Sequence, residues 1–254
     1  PRYRFVQGDI VDRDTVTQAA DGVDAIVNFA AETHVDRSIA DPEAFLRTDI
    51  MGTHTLLEAV RALGISRMVQ VSTDEVYGSV ETGSCDEDYP LAPSSPYSAS
   101  KAGGDLQVLA YHHTYGSPVM LTRGSNTYGP YQYPEKLIPL VVTNALEGEK
   151  LPLYGDGLNV RDWLHVDDHC AGVEFVLKNG EPGQVYNVGG GNERNNLEIT
   201  RIILDELDLG EDSIRRVPDR PGHDRRYSIN CDRLHAIGWN PTVDFEQGLR
   251  ETIR

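Results

Sequence analysis

Arg67-Met-Val-Gln-Val-Ser72, followed at once by Thr73-Asp74-Glu75, is the stretch on which the fold turns. Its β-branched run has the length of a strand, and two carboxylates come where that strand would end. Working outward, Asp24-Ala-Ile-Val-Asn-Phe-Ala30 reads as a buried strand with a largely apolar run. Between the two, Asp41-Pro42 opens a helix carrying Phe45, Leu56, Leu57, Val60 and Leu63 to Gly64, with Asp as N-cap and Pro at the first helical position. A helix over 97–115 stopping at Gly116 and a strand over 119–123 follow, while Tyr3-Arg-Phe-Val-Gln7 reads as a strand and 14–20 as a helix. Strands alternating with helices predict the α/β class and a doubly wound parallel, Rossmann-like sheet.

Beyond Arg123 the texture changes. Residues 124–134 hold Gly, Asn, Tyr and Pro without periodicity and read as a loop. Shorter pieces come next: helices at 135–146, 168–178 and 197–207, strands at 151–154, 162–165 and 185–188, and a polar segment at 219–227. The expected organisation is a first domain over 1–124 and a smaller α/β substrate domain over 125–254, with about 158–178 a candidate to return to the first. No repeat or low-complexity segment interrupts the chain.

Composition narrows the function. The chain has 254 residues, 39% hydrophobic and 25% charged, enough for a full core. With 23 Lys+Arg against 40 Asp+Glu the formal charge is −17, and no basic block is present, which argues against nucleic acid as a partner. The longest apolar stretches, such as Leu137-Ile-Pro-Leu-Val-Val142, fall far short of the roughly 20 residues needed to cross a bilayer, so no membrane partner is expected. Cys85, Cys170 and Cys231 match neither a disulfide framework nor a zinc spacing, and free thiols in a reducing cytoplasm is the simple reading. Only four of the basic residues are lysines: Lys101, Lys136, Lys150 and Lys178.

A dinucleotide-binding sheet usually carries a Gly-rich turn after its first strand and an acidic residue about 20 positions on. Neither is found here; Gly189-Gly-Gly191 comes late and lacks the strand–turn–helix setting. The chain therefore reads as starting at the third strand of such a sheet, lacking its first βαβ unit. In the 3-2-1-4-5-6 strand order that omission predicts a gap in mid-sheet, and an insoluble or NAD-free product when these residues are made alone.

Two local patterns carry chemistry. Tyr97-Ser-Ala-Ser-Lys101 puts a phenol and an ammonium four apart on one helix face. A free tyrosine titrates near pH ~10, and a neighbouring cation together with the positive nicotinamide ring of an oxidised cofactor, lowering it by about two to three units, makes it a usable proton acceptor. Ser72-Thr73-Asp74-Glu75 delivers a hydroxyl and two carboxylates to the C-terminal end of a strand, where open parallel sheets bind ligands. If burial keeps one carboxyl protonated and leaves the other ionised, the pair supplies the acid and base that elimination of water requires. Taken singly, each pattern also fits a solvated helix face or a turn-capping Asp.

Together with Ala30-Ala-Glu-Thr-His-Val-Asp-Arg-Ser38, Ser72-Thr-Asp-Glu-Val-Tyr-Gly78, Pro93-Ser-Ser-Pro-Tyr-Ser-Ala-Ser-Lys-Ala102, Pro134-Glu-Lys-Leu-Ile-Pro139, Arg161-Asp-Trp-Leu-His-Val166 and Asp219-Arg-Pro-Gly-His-Asp-Arg-Arg-Tyr227, these patterns resemble the dTDP-glucose 4,6-dehydratase family of the extended short-chain dehydrogenase/reductases. The likeness runs the length of the chain. It implies a lyase of deoxysugar biosynthesis that runs an internal hydride cycle on NAD, with Thr73, Asp74, Glu75, Tyr97 and Lys101 catalytic. Asp9, Ile10, Phe29, Ala30, Ala31, Thr33, Thr48 and Thr127, with Tyr97 and Lys101, are implied to contact NAD. Thr33, Asn126, Glu135, Lys136, Leu137, Pro152, Tyr154, Arg161, Asn196, Asp219, Arg220 and His223 are implied to contact the dTDP-sugar. The resemblance also implies a cytoplasmic homodimer joined as a four-helix bundle by the 41–63 and 97–115 helices.

His165-Val-Asp-Asp-His169 has metal-ligand spacing, but Asp167 or Asp168 reads better as the N-cap of the next helix, and no metal is expected. His112 and His113 read as a solvated helix face. The competing functions are another nucleotide-sugar enzyme of the same superfamily (a UDP-sugar dehydratase, an epimerase or a decarboxylase) and an inactive sugar-nucleotide-binding fragment. Asp74 and Glu75 discriminate against an epimerase, which has no water to expel.

Overall fold

The computed structural model describes residues 2–254. In chain order its first elements are α1 (Arg13–Ala20), β1 (Ala25–Asn28), α2 (Val35–Ala40), α3 (Pro42–Phe45), a π-helical segment (Leu46–Gly52), α4 (Thr53–Leu63), β2 (Arg67–Thr73), α5 (Pro96–Tyr115), β3 (Val119–Gly124), β4 (Asn126–Tyr128) and α6 (Leu137–Leu146). There follow β5 (Leu151–Tyr154), β6 (Val160–His165), α7 (Val166–Asn179), β7 (Val185–Val188), β8 (Glu193–Asn195), α8 (Asn196–Glu206), β9 (Ile214–Val217), α9 (Asp232–Ala236) and α10 (Phe245–Ile253). The chain divides into two compact units. One is Pro1–Val76, Leu91–Arg123 and Val173–Tyr186; the other is Tyr77–Pro90, Gly124–Gly172 and Asn187–Arg254.

The first unit is built on a sheet of order β1-β2-β3-β7, with β1 parallel to β2 from Ala25 opposite Arg67 to Asn28 opposite Gln70. This is the α/β, Rossmann-like arrangement. Its core is the buried set Leu56, Leu57, Val60, Met68, Val108, Val119 and Leu121, and each such side chain contributes about 1.5–3 kcal/mol by leaving water. Local chemistry fixes the helix ends. Asp12 caps α1 by accepting from the amides of Asp14 and Thr15 at 3.0 and 3.3 Å. Ser95 and Ser98 form a reciprocal capping box at the start of α5. Gly64 and Gly116 end α4 and α5 in the left-handed region, φ 66° at each, where a Cβ is strained.

Several expectations are corrected. Tyr3-Arg-Phe-Val-Gln7 forms no strand: its residues are exposed, and the sheet begins at β1 without it. A strand segment lacking a neighbour has no partner for its backbone groups except water. Asp41 stands at an N-cap position but makes no side-chain cap, and the expected single helix from there to Leu63 is broken by the π-helical segment. That segment lies close under α5. A Cβ at Gly104 would meet the Asp49 carbonyl oxygen at 2.8 Å, and one at Gly103 would meet Ile50 Cδ1 at 2.6 Å. Two glycines in α5 therefore allow the approach.

In the second unit β4, β6 and β8 form one small sheet and β5 pairs with β9 in another. Tyr128, Ile138, Leu151, Trp163, Ile199, Phe245 and Leu249 are its buried core. Residues 126–128, read as loop, are a strand, because each pairs in parallel with Trp163–His165 of β6. Asp168 is not an N-cap: it lies within α7, and its carboxylate accepts from the Thr242 and Val243 amides at 2.8–3.0 Å. His112 is not simply solvated either, since its ring nitrogen meets the Ser117 carbonyl at 2.9 Å.

Candidate active site

The first unit places five predicted side chains together. β2 ends at Thr73, and Asp74 opens a single 3-10 turn over Asp74–Tyr77, so the three consecutive polar residues leave the strand end at different angles. Thr73 Oγ1 donates to Asp74 Oδ1 at 3.3 Å and accepts from the Glu75 amide at 3.2 Å. Tyr97, one residue into α5, is 8% exposed, packs edge-on against Phe45 at 6.2 Å, and donates its amide to Ser38 Oγ at 3.1 Å. The Thr73 hydroxyl faces the phenol, and the charges of Glu75, Asp49 and Asp74 act on it. One turn on, buried Lys101 donates from Nζ to the Val71 carbonyl at 2.9 Å. Phenol, hydroxyl, two carboxylates and ammonium thus share the C-terminal edge of the sheet, where strand geometry opens a crevice for ligands.

Burial, then the Glu75 and Asp49 carboxylates, push the Tyr97 phenol well above its ordinary value, and Thr73 opposes them only in part. Lys101 is itself pushed down by burial, with Asp49 and Asp105 holding it up. In this state the phenol is a proton donor. A positive charge arriving beside it is what turns it into an acceptor.

Of the residues expected at a cofactor, Ala30 is held by its amide donating to Asn28 Oδ1 at 3.0 Å, and Asn28 in turn donates to Gln70 Oε1 at 2.9 Å across β1 and β2. Phe29 and Thr33 are exposed just past β1, with Ala31 half-buried between them, and Thr48 is half-buried on the π-helical segment. Asp9 is exposed and accepts from the Val11 amide at 3.1 Å, and Ile10 packs so near Gly52 that a Cβ there would meet it at 2.3 Å. These residues fit the nicotinamide-ribose part of a dinucleotide: an ammonium that has spent one donor on Val71, small residues at a strand end, and an exposed aromatic face. Thr127 lies in the second unit, where its Oγ1 is 2.6 Å from His169 Nδ1.

The second unit gathers cations. Arg161 is 5% exposed, donates to the carbonyls of Val160 and Asp224 at 2.7 and 3.0 Å, and lies 4.2 Å over the Tyr227 ring. Its guanidinium therefore meets neutral acceptors. His223 is pushed down by burial, and then by the nearby charges of Arg220 and Arg161, with Asp219 opposing them from 2.6 Å. Tyr154 stands edge-on to His223 at 6.3 Å, beside half-buried Pro152 on β5. Asn126 points a buried amide oxygen with no hydrogen-bond partner, while Glu135, Lys136 and Leu137 sit half-buried at the start of α6 and Asn196 at the start of α8. Among the described residues no group of three or more His, Cys, Asp or Glu side chains could hold a metal ion.

Sequence reading missed Asp49, Asp105 and Arg123. Asp49 is 2% exposed and accepts from Ser100 Oγ at 2.6 Å; Asp105 and Arg123 form a buried ion pair at 2.9 Å. One signal was available for Asp105, which stands four residues after Lys101 on the same helix face.

The dTDP-glucose 4,6-dehydratase of Streptomyces niveus is 54% identical over 252 residues, 99% of this chain and 75% of the relative. A crystal structure of the dTDP-glucose 4,6-dehydratase of Streptomyces venezuelae with NAD bound superposes with a TM-score of 0.99 at 55% identity, covering 100% of this chain and 79% of that one. A UDP-glucose 4-epimerase of Thermus thermophilus, also with NAD, gives 0.92 at 30% identity over 100% of this chain and 85% of the other. The model of the GDP-mannose 4,6-dehydratase family matches residues 1–252, and the chain belongs to that family.

Proposed function

We propose that the protein dehydrates dTDP-glucose to dTDP-4-keto-6-deoxyglucose with NAD as its resident cofactor. The observation that carries this reading is the strand-end cluster, in which the Tyr97 phenol faces Thr73 and feels both Asp74 and Glu75. An oxidation of one sugar carbon and an elimination at its neighbours need one proton acceptor at the oxygen, a second at carbon and a donor at the leaving group. The cluster offers one of each. The two most similar relatives described above bear the same activity in their names.

NAD, when bound, supplies a reversible hydride acceptor and the positive ring that lowers the phenol. Tyr97 takes the proton from the C4 hydroxyl as its hydrogen leaves with both electrons, while Thr73 holds that oxygen and Lys101 stabilises the phenolate. The resulting 4-ketone acidifies the C5 hydrogen. Glu75 removes it, and Asp74, which is 3% exposed and accepts a hydrogen bond from Thr73, protonates the C6 hydroxyl so that it leaves as water. With NAD bound, a hydride given back at C6 and a proton at C5 would close the cycle with no net redox change. Phe29, Ala30, Ala31, Thr33 and Thr48 line the nicotinamide side and Asp9-Ile10 the adenine side. Arg161, Arg220 and His223 hold the diphosphate, since guanidinium forks pair bidentately with phosphate oxygens. Tyr154 and Pro152 pack on the base, and Asn126, Glu135, Lys136, Leu137 and Asn196 bracket the sugar.

The working form is a cytoplasmic homodimer built on the helices flanking the site, which carry exposed Ile39, Leu46, Met51 and Leu106. Its three cysteines are free thiols. Incubation with dTDP-glucose should raise the alkali-induced ultraviolet absorbance of a 4-keto sugar. A rise with UDP-glucose but not with dTDP-glucose would overturn the nucleotide assignment, and no rise with either would overturn the dehydratase reading.

A further inference from the structure

Arg161 is a buried cation with no counter-ion at its own nitrogens. Nη1 donates to the Val160 carbonyl at 2.7 Å and Nη2 to the Asp224 carbonyl at 3.0 Å, and among the described residues no carboxylate forms an ion pair with it. A guanidinium taken out of water without an anion is costly unless something else faces its charge. The group that faces it is the ring of Tyr227, whose centroid lies 4.2 Å from the guanidinium carbon.

Strand register brings ring and guanidinium together, and all the groups concerned belong to the second unit. Residues 225–227 run beside the start of β6: the Val160 amide donates to the Arg225 carbonyl at 2.8 Å, the Tyr227 amide donates to the Val160 carbonyl at 3.2 Å, and Val160 and Arg226 form a parallel bridge. The Val160 carbonyl thus accepts from both Tyr227 and Arg161 and spaces one against the other. At the far end of the ring the Tyr227 hydroxyl donates to Asp224 Oδ2 at 2.6 Å. The Asp224 carbonyl, which takes Arg161 Nη2, also accepts from Asn159 Nδ2 at 3.1 Å, so the backbone there is tied from two sides. Tyr227 and Asp224 are both buried. The anion therefore stands one ring away from the cation. A carboxylate bonded directly to Arg161 would occupy the fork that a phosphate needs. A phenol held by that carboxylate instead turns an electron-rich face to the guanidinium and leaves the fork open.

We propose that Tyr227 is a positioning residue for Arg161: its ring, anchored through the hydroxyl by Asp224, holds the guanidinium in place and leaves the remaining N–H donors to an anion of the ligand. The statement rests on the proposed function only for the identity of that anion, the diphosphate of dTDP-glucose, and not for the stacking itself. Tyr227 acts through Arg161. Without the ring the guanidinium regains rotamer freedom that binding must then remove, so the loss is read in affinity.

Calorimetric titration of dTDP into the full chain supplies the test. Tyr227→Leu should weaken dTDP by about 5–30-fold, and Tyr227→Phe, which keeps the ring and loses the Asp224 contact, only a few-fold. In an Arg161→Ala background the same Tyr227→Leu change should cost no more than about twofold, since no guanidinium remains to be held. A second readout needs no ligand. The Arg161 Nε–H proton, recognised as the resonance lost in Arg161→Ala, should be displaced upfield by the ring current, move downfield in Tyr227→Leu and keep its place in Tyr227→Phe. Tyr227→Met serves the same cycle if the leucine variant does not fold. Equal losses with and without Arg161 overturn the proposal, being the mark of a merely structural tyrosine, as does an Nε–H resonance that ignores the loss of the ring. If the resonance moves as expected while Arg161→Ala leaves dTDP binding unchanged, the stacking stands and the diphosphate reading of the cationic cluster falls.

Discussion

The two units assemble charge of opposite sign. In the first, Asp49, Asp74 and Glu75 surround a buried phenol and a single ammonium, and every one of these groups is at least partly removed from water. In the second, Arg161, Arg220 and His223 converge with Asp219 as the nearby anion, and Arg161 rests on neutral carbonyls and a tyrosine face. The contrast separates two tasks. An acidic, desolvated cluster makes protonation states easy to exchange, which is what moving protons needs. A cationic cluster with neutral first partners keeps its charge available for an anion, which is what holding a diphosphate needs.

The largest effect should come from breaking the acidic side. Tyr97→Phe removes the group proposed to take the C4 proton and should lower both oxidation and dehydration by about 10²–10⁴-fold. Glu75→Gln should leave oxidation detectable, by transient NADH absorbance on mixing with substrate, yet stop elimination. Equal loss of both steps in the two variants would mean that the roles are not divided as proposed. Breaking the cationic side should act on binding instead. Arg161→Ala should weaken dTDP by about 10–100-fold, the worth of charge-assisted hydrogen bonds, with kcat little changed, and Arg161→Lys should recover only part because an ammonium cannot form the fork. A loss confined to kcat would place Arg161 on the wrong side of the comparison.

How far each side was legible follows from the range of the forces that build it. β2, α5 and β3 were readable because apolar runs and caps lie within a few residues of each other, and β7 likewise, from Val185 to Val188. α10 was equally readable and was missed: Asp244 caps Phe245–Ile253, whose Phe245, Leu249 and Ile253 recur every four residues. β4 was not, since Asn126-Thr-Tyr128 has no pattern of its own and becomes a strand by pairing with β6, 37 positions later. Tyr3–Gln7 failed for the converse reason, being β-prone residues with no strand beside them. The acidic cluster was visible as Thr73-Asp74-Glu75 and Tyr97…Lys101, whereas Asp49 was hidden, because neither a π-helical segment nor its contact with Ser100, 51 positions on, has a local signature. Of the carboxylates that raise the Tyr97 phenol, Asp74 and Glu75 were therefore in view, and the contribution of Asp49 was hidden with it.

The finest test of the contrast is His223, because a cationic site that holds an anion must bind protons more tightly once the anion arrives. Burial, and then Arg220 and Arg161, depress its imidazole below the ordinary 6.5, so near neutrality the ring is uncharged. A lowered base weakens the fold as pH falls below 6.5, since the unfolded chain takes the proton first. Binding works in the opposite sense. Two esterified phosphates of dTDP-glucose carry charge that does not change over this range, and they favour the imidazolium; the complex therefore takes up a proton, and affinity rises as pH falls. Calorimetry of dTDP-glucose between pH 8 and 5.5, in a Tyr97→Phe background where no turnover consumes it, should give a Kd that drops a few-fold toward acid. His223→Asn, which cannot titrate, should flatten that slope while leaving the affinity at pH 8 nearly the same. If the slope survives the substitution, the proton is taken up elsewhere and the diphosphate does not lie against His223, which would leave Arg161 and Arg220 to define the cationic side alone.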